Sequence, residues 1–137
     1  MKKALLIFLL ALFNIHNGYS QDSGNYFIGA SRLIGESKYE DAIATCTHII
    51  NTDPNFVLLN QVYGMRGNCK RMLNDCKGAL VDQDIAVRIS PRNATNYYNR
   101  ALVNLCLDRK VAAKKDFNTA GDLGLKKAFE MIVKYCQ

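Results

Sequence analysis

Few side chains in this sequence could do chemistry: five cysteines (Cys46, Cys69, Cys76, Cys106, Cys136), the histidines His16 and His48, and short acidic groups at Glu40-Asp41 and Asp82/Asp84. Cys46 and His48 are the one thiol and imidazole that lie close along the chain. A spacing of two puts them on different faces of a helix, so His48 is poorly placed to activate the thiol. Zinc sites built on cysteine use spacings such as C-x-x-C, and no such pair occurs. The carboxylates could serve as acid and base. Their helical positions are mostly outward, where solvation and helix-start charge account for them. Nucleotide-loop, serine-elbow and zincin strings do not occur. No catalytic, cofactor-binding or metal-binding residues are expected, and the chain does not read as an enzyme.

Positioning must come from one ordered domain, since 137 residues with 49% hydrophobic content and two prolines leave little room for disorder. Residues 1–20, MKKALLIFLLALFNIHNGYS, run from two lysines through an apolar stretch to a short polar tail. That order predicts a secretory signal peptide cut between Ser20 and Gln21. An uncleaved anchor is the rival, but the apolar run is about half the roughly 20 residues a spanning helix needs. The expected destination is periplasmic or secreted, in a bacterium, with no membrane span after cleavage.

Loss of Lys2 and Lys3 takes the formal charge from +6 to +4. The remaining bases are dispersed, whereas nucleic-acid binding asks for a concentrated basic face. No nucleic-acid partner is expected.

Three segments superimpose on one another with fixed internal spacings. Tyr26, Tyr63 and Tyr97 each precede a small residue by four, giving Ala30, Gly67 and Ala101. Twelve residues later come Ala42, Ala79 and Ala113, then after seven more Ile49, Ala86 and Ala120. Pro54 and Pro91 follow in two copies, and Leu125 stands there in the third. Spacings of four and seven return side chains to one helix face, and small residues let two helices approach. Polar breaks at Gly35 to Lys38, Asn74-Asp75 and Asp108-Arg109 turn the chain between paired helices. The second copy starts three residues late, so Val57 to Leu59 lengthen either its first helix or the loop before it.

This pattern resembles the tetratricopeptide repeat family. The resemblance implies an all-α fold of three tandem helix-turn-helix repeats (about 23–56, 60–93 and 94–125, within residues 21–125) in a short right-handed superhelix. Residues 126–137 carry apolar positions at helical spacing and predict a C-terminal capping helix. In an oxidising compartment the cysteines invite disulfides. Cys76 begins a helix and Cys106 ends one at the same end of neighbouring repeats, which makes them the preferred pair. Cys106 with Cys136 is the alternative, and buried cysteines acting as apolar fillers are a third reading.

In that family the first helices line a concave groove that holds a peptide or partner helix. Transferred by phase, the groove comprises Phe27, Ser31 and Ile34, then Gly64, Asn68, Arg71 and Met72, then Thr95, Tyr98, Leu102 and Leu105. It reads as largely apolar, with Asn68, Arg71 and Tyr98 as polar contributors. The set that clamps a terminal carboxylate in some members is poorly matched, leaving Asn68 and Asn99 as echoes. The implied function is an exported, non-catalytic adaptor for a protein or peptide, with a cell-wall or glycan-binding envelope protein as the alternative. A homodimer covering the groove is also compatible with the pattern.

Overall fold

A computed structural model of the chain describes residues 21–136. The expected leader and its cleavage site fall on residues 1–20, outside the described residues. Among those described, every regular element is helical. Helix α1 covers 21–35, followed by α2 (Tyr39–Thr52), α3 (Leu59–Met72), α4 (Cys76–Ile89), α5 (Ala94–Cys106), α6 (Lys110–Asp122) and α7 (Lys127–Tyr135). Helices α3 and α4 pair, as do α5 and α6, and α2 packs on α3, α4 on α5 and α6 on α7. The first helices α3 and α5 also touch. The late start of the second copy goes into the loop, because α3 begins only at Leu59 and Val57 is exposed.

One device ends the first helix of every repeat. Ser37, Asn74 and Asp108, which occupy matched positions, take left-handed backbone angles with φ of 57°, 66° and 56°. The next residue then donates its N–H back to the carbonyl five residues earlier: Lys38 to Leu33, Asp75 to Lys70, and Arg109 to Asn104. These reverse turns satisfy carbonyls that a helix end would leave bare. Gly124, at φ 103°, closes α6 in the same way.

The small repeat residues sit where helices meet. Ala30, Ala101, Ala42, Ala79 and Ala113 have no exposed surface. At Gly67 an added Cβ would lie 2.8 Å from Gln83 Nε2 and 3.2 Å from the Ala79 carbonyl oxygen, so α3 and α4 can approach only without it.

Two apolar clusters form the core. Ala30, Cys46, Ile49, Phe56 and Val62 build one, and Ala101, Ala113, Phe117, Ala120, Ala128 and Cys136 build the other. Between them polar side chains are buried: Asp82 and Gln83 on α4 and Asn96 on α5. Asn96 Nδ2 donates to the Ala86 carbonyl at 2.9 Å, tying α5 to the end of α4.

The outward placement expected of Asp82 is corrected by the structure. Its side chain is 1% exposed and is gripped by Arg66 through Nε to Oδ2 at 2.9 Å and Nη2 to Oδ1 at 2.7 Å, with Lys70 Nζ at 2.8 Å. Burial is tolerated because two cations meet the carboxylate. In the next repeat Arg100 holds Asp116 by the same two bonds at 2.9 and 2.7 Å, with Asn104 Nδ2 at 3.1 Å in the place of Lys70. Each arginine also reaches back to the preceding repeat, Arg66 to Thr47 Oγ1 and Arg100 to Asp84 Oδ1, both at 3.0 Å. The repeat tyrosines Tyr63 and Tyr97 lie beneath these guanidinium groups.

Candidate functional site

The face shared by the first helices carries two clefts in line. On α3, Gln61, Gly64, Met65, Asn68 and Arg71 recur at the three-, four- and seven-residue spacings of one helix face, as do Thr95, Asn99, Leu102 and Cys106 on α5.

The first cleft, of about 330 Å³, lies between α3 and α5 and is lined by Gln61, Gly64, Met65, Asn68, Asn93, Thr95, Asn96 and Asn99. Gln83, fully buried behind it, donates Nε2 to the Gly64 carbonyl at 3.0 Å and to Asn68 Oδ1 at 3.4 Å. With its oxygen engaged, Asn68 keeps its NH₂ donors for another partner. Asn93 caps α5 by accepting the Thr95 N–H at 3.0 Å, and so shapes the cleft's edge. Amide side chains offer a donor and an acceptor together, matching the alternating groups of an extended peptide backbone.

The second cleft, of about 500 Å³, lies between α5, the end of α3 and α7. Arg71, Leu102, Leu105, Cys106, Asp108, Lys110, Met131, Lys134 and Tyr135 line it. Arg71 Nε is shielded from solvent without an acceptor. Tyr98 packs edge-on against Phe117 at 5.5 Å between ring centres, with Lys127 Nζ 4.7 Å above its ring.

Of the groove residues named from sequence, Asn68 lines the first cleft and Arg71 and Leu102 the second, while Tyr98 lies beside α7. Phe27 belongs to the first apolar cluster, 6.1 Å from the Phe56 ring. Ser31 is exposed and donates its hydroxyl to the Phe27 carbonyl, and half-exposed Met72 borders neither cleft. The expectation of a largely apolar groove is corrected for the first cleft, whose lining is mainly amide. Gln61, Asn93 and Asn96 fall outside the residue types that recur in all three copies, so the repeat pattern does not mark them. Met131, Lys134 and Tyr135 were missed because α7 lies outside the repeat and was read only as a cover.

The Cys46 thiol and His48 ring are separated. Cys46 is buried in the first cluster, where desolvation pushes its thiol up to about 12. A thiol held protonated is a poor nucleophile. His48 is exposed and packs at a tilt against the Tyr26 ring, 4.5 Å between ring centres. The structure joins Cys76 to Cys106, with Cα atoms 6.1 Å apart. Cys46, Cys69 and Cys136 are buried free thiols. Among the described residues, no group of three or more His, Cys, Asp or Glu side chains is placed to hold a metal ion, and no helix is long and apolar enough to cross a membrane.

The paired helices, their left-handed reverse turns and the stacked first helices define the fold of a tetratricopeptide-repeat domain. Solved structures agree. The first such domain of Spaghetti (RPAP3), bound to the HSP90 peptide SRMEEVD, superimposes with a TM-score of 0.71 at 20% identity, over 83% of this chain and 95% of that one. PcrH, a Pseudomonas aeruginosa protein, in complex with the chaperone binding region of PopB, gives 0.76 at 15% identity, over 82% and 95%. The Sgt2 TPR domain of Aspergillus fumigatus gives 0.70 at 14% identity, over 82% and 80%. No family model matches the sequence, and no curated protein matches it.

Proposed function

We propose that this chain is a non-catalytic interaction module that takes an extended segment of a partner protein along the face of α3, α5 and α7. The observation that carries the reading is the amide-lined cleft, with a second cleft farther along the same two helices. Asn68, held by Gln83, and Asn99 can pair with peptide backbone, while Leu102, Leu105 and Met131 offer apolar contact for side chains. The peptide-bound RPAP3 domain and the PopB-bound PcrH support this use of the fold. A sugar ligand fits less well, because Tyr98, an aromatic ring of the expected groove, already carries Lys127 over it.

In-cell crosslinking of the full chain tests the proposal, with Asn68→Ala/Asn99→Ala and Arg71→Ala/Tyr98→Ala as comparisons. Both double variants should lose the principal adducts at unchanged circular dichroism. If both retain every adduct, the binding face lies elsewhere.

The leader composition supports export to the periplasm or beyond as part of the same proposal. Fractionation and N-terminal sequencing should find a chain starting at Gln21 outside the cytoplasm. An intact cytoplasmic chain would refute it.

A further inference from the structure

Resting on the interaction-module reading, we infer that the second cleft is a subsite for an acidic side chain beside a large apolar one on the partner segment, with Arg71 and Lys134 as its cations. The other guanidinium groups of the repeat interior are satisfied within the chain: Arg66 by Asp82, and Arg100 by Asp116 and Asp84. Lys70, next to Arg71, also pairs with Asp82. Arg71 makes no ion pair among the described residues, and its Nε is shielded with no acceptor.

Three cations, Arg71, Lys110 and Lys134, line this cleft against the single carboxylate of Asp108. An arginine fork with a neighbouring ammonium suits a carboxylate, which can take two parallel N–H bonds. Leu102, Leu105 and Met131 form the apolar part of the lining, so the acid's neighbour on the segment should be a side chain of leucine or methionine size. A third of the lining comes from α7, which supplies Met131, Lys134 and Tyr135 from beyond the repeats. Specificity therefore resides partly in the capping helix, while the amide cleft serves any extended backbone.

The test is selection from a synthetic dodecamer library with amidated C-termini, so that any acid selected is a side chain. The bait is the protein purified from cells that make the full chain. Selected peptides should concentrate Asp or Glu next to Leu, Met or Phe. Exchanging that acid for its amide, or introducing Arg71→Gln with Lys134→Gln, should weaken binding about tenfold, the effect of losing a charge-assisted pair. Affinity should also fall as salt rises. Peptides that bind through Asn68 and Asn99 without acid enrichment, or whose acid is indifferent to the double variant, overturn the subsite and leave the interaction reading standing. Retention of no peptide overturns both.

Discussion

Gln83 stands at the repeat position that Phe117 fills one repeat later, and both side chains are fully buried. The exchange of a ring for an amide makes the middle of the molecule polar and leaves Gln83 Oε1 without a partner. Its Nε2 bonds serve to orient Asn68 toward the first cleft. A buried, half-satisfied amide is a poor source of stability. Gln83→Met, close in volume, should therefore keep or raise the melting temperature and weaken binding at the first cleft. A loss above about 1.5 kcal/mol in chemical denaturation would contradict this, since volume-conserving swaps usually cost less.

The buried Arg66–Asp82 and Arg100–Asp116 pairs should respond to truncation more strongly than the exposed Arg100–Asp84 pair. Each carboxylate is nearly buried, so Asp82→Ala leaves the partly buried Arg66 without its counter-charge and Asp116→Ala leaves Arg100 only the exposed Asp84. Removing one member of such a pair costs roughly 3 kcal/mol. Burial alone would lower the Arg66 pKa, and hydrogen bonding to Asp82 and its charge raise it overall; a guanidinium is basic enough to stay charged even when that partner is lost. Asp84, which is 55% exposed, pairs with Arg100 in solvent, and Asp84→Ala should cost below about 1 kcal/mol. Urea unfolding of the three variants compares them directly.

The repeat scaffold was legible because residue types recur in phase. Tyrosines, small residues and polar breaks agree in three copies, and packing demands small residues at Ala30, Gly67 and Ala101 whatever their neighbours. The arginine clamp recurs only twice: Gly29 and Thr45 occupy its positions in the first copy, so a threefold comparison passes over it. The site was less legible for two physical reasons. Buried polarity at Gln83 breaks the pattern that marks the core, and α7 contributes side chains from outside any repeat. The direction of Phe27 into the first cluster depends on the Phe56 loop, which has no counterpart in phase.

The three reverse turns should differ in strain. Asparagine and aspartate tolerate a left-handed backbone better than serine does. Ser37→Gly should therefore stabilise the chain by about 1 kcal/mol, with Asn74→Gly gaining less. Thermal melts of the two variants suffice, and equal gains would show that residue type at these caps is immaterial.

Burial pushes the Cys46 thiol up to about 12 and the Cys69 thiol up to about 11. In the unfolded chain both ionise from about pH 9, so the folded state binds the extra protons above that value. The thiols' contribution to stability is complete below pH 9 and declines as pH rises toward 11 and 12. Cys46→Ala should lower stability at neutral pH through the lost side-chain volume, yet lessen the fall between pH 9 and 12. Iodoacetamide should label both thiols only as fast as the protein opens. Rapid labelling of Cys46 in the folded chain at pH 8 would contradict its burial.

The Cys76–Cys106 link joins the first residue of α4 to the last of α5 and closes a loop with a sequence separation of 30. A Cα separation of 6.1 Å is within the range a disulfide spans. Because Cys106 also lines the second cleft, the link ties the turn after α3 to the wall of that cleft. A loop of this length restricts the unfolded chain by an amount equivalent to about 3.6 kcal/mol. Cys76→Ser/Cys106→Ser should lower stability by about that much and make the melting temperature insensitive to reductant. Peptide mapping without reduction should recover one fragment containing both cysteines. Recovery of Cys106 bonded to Cys136 would reassign the link to the capping helix, and stability of the double variant equal to that of the wild type would show that the native chain does not carry it.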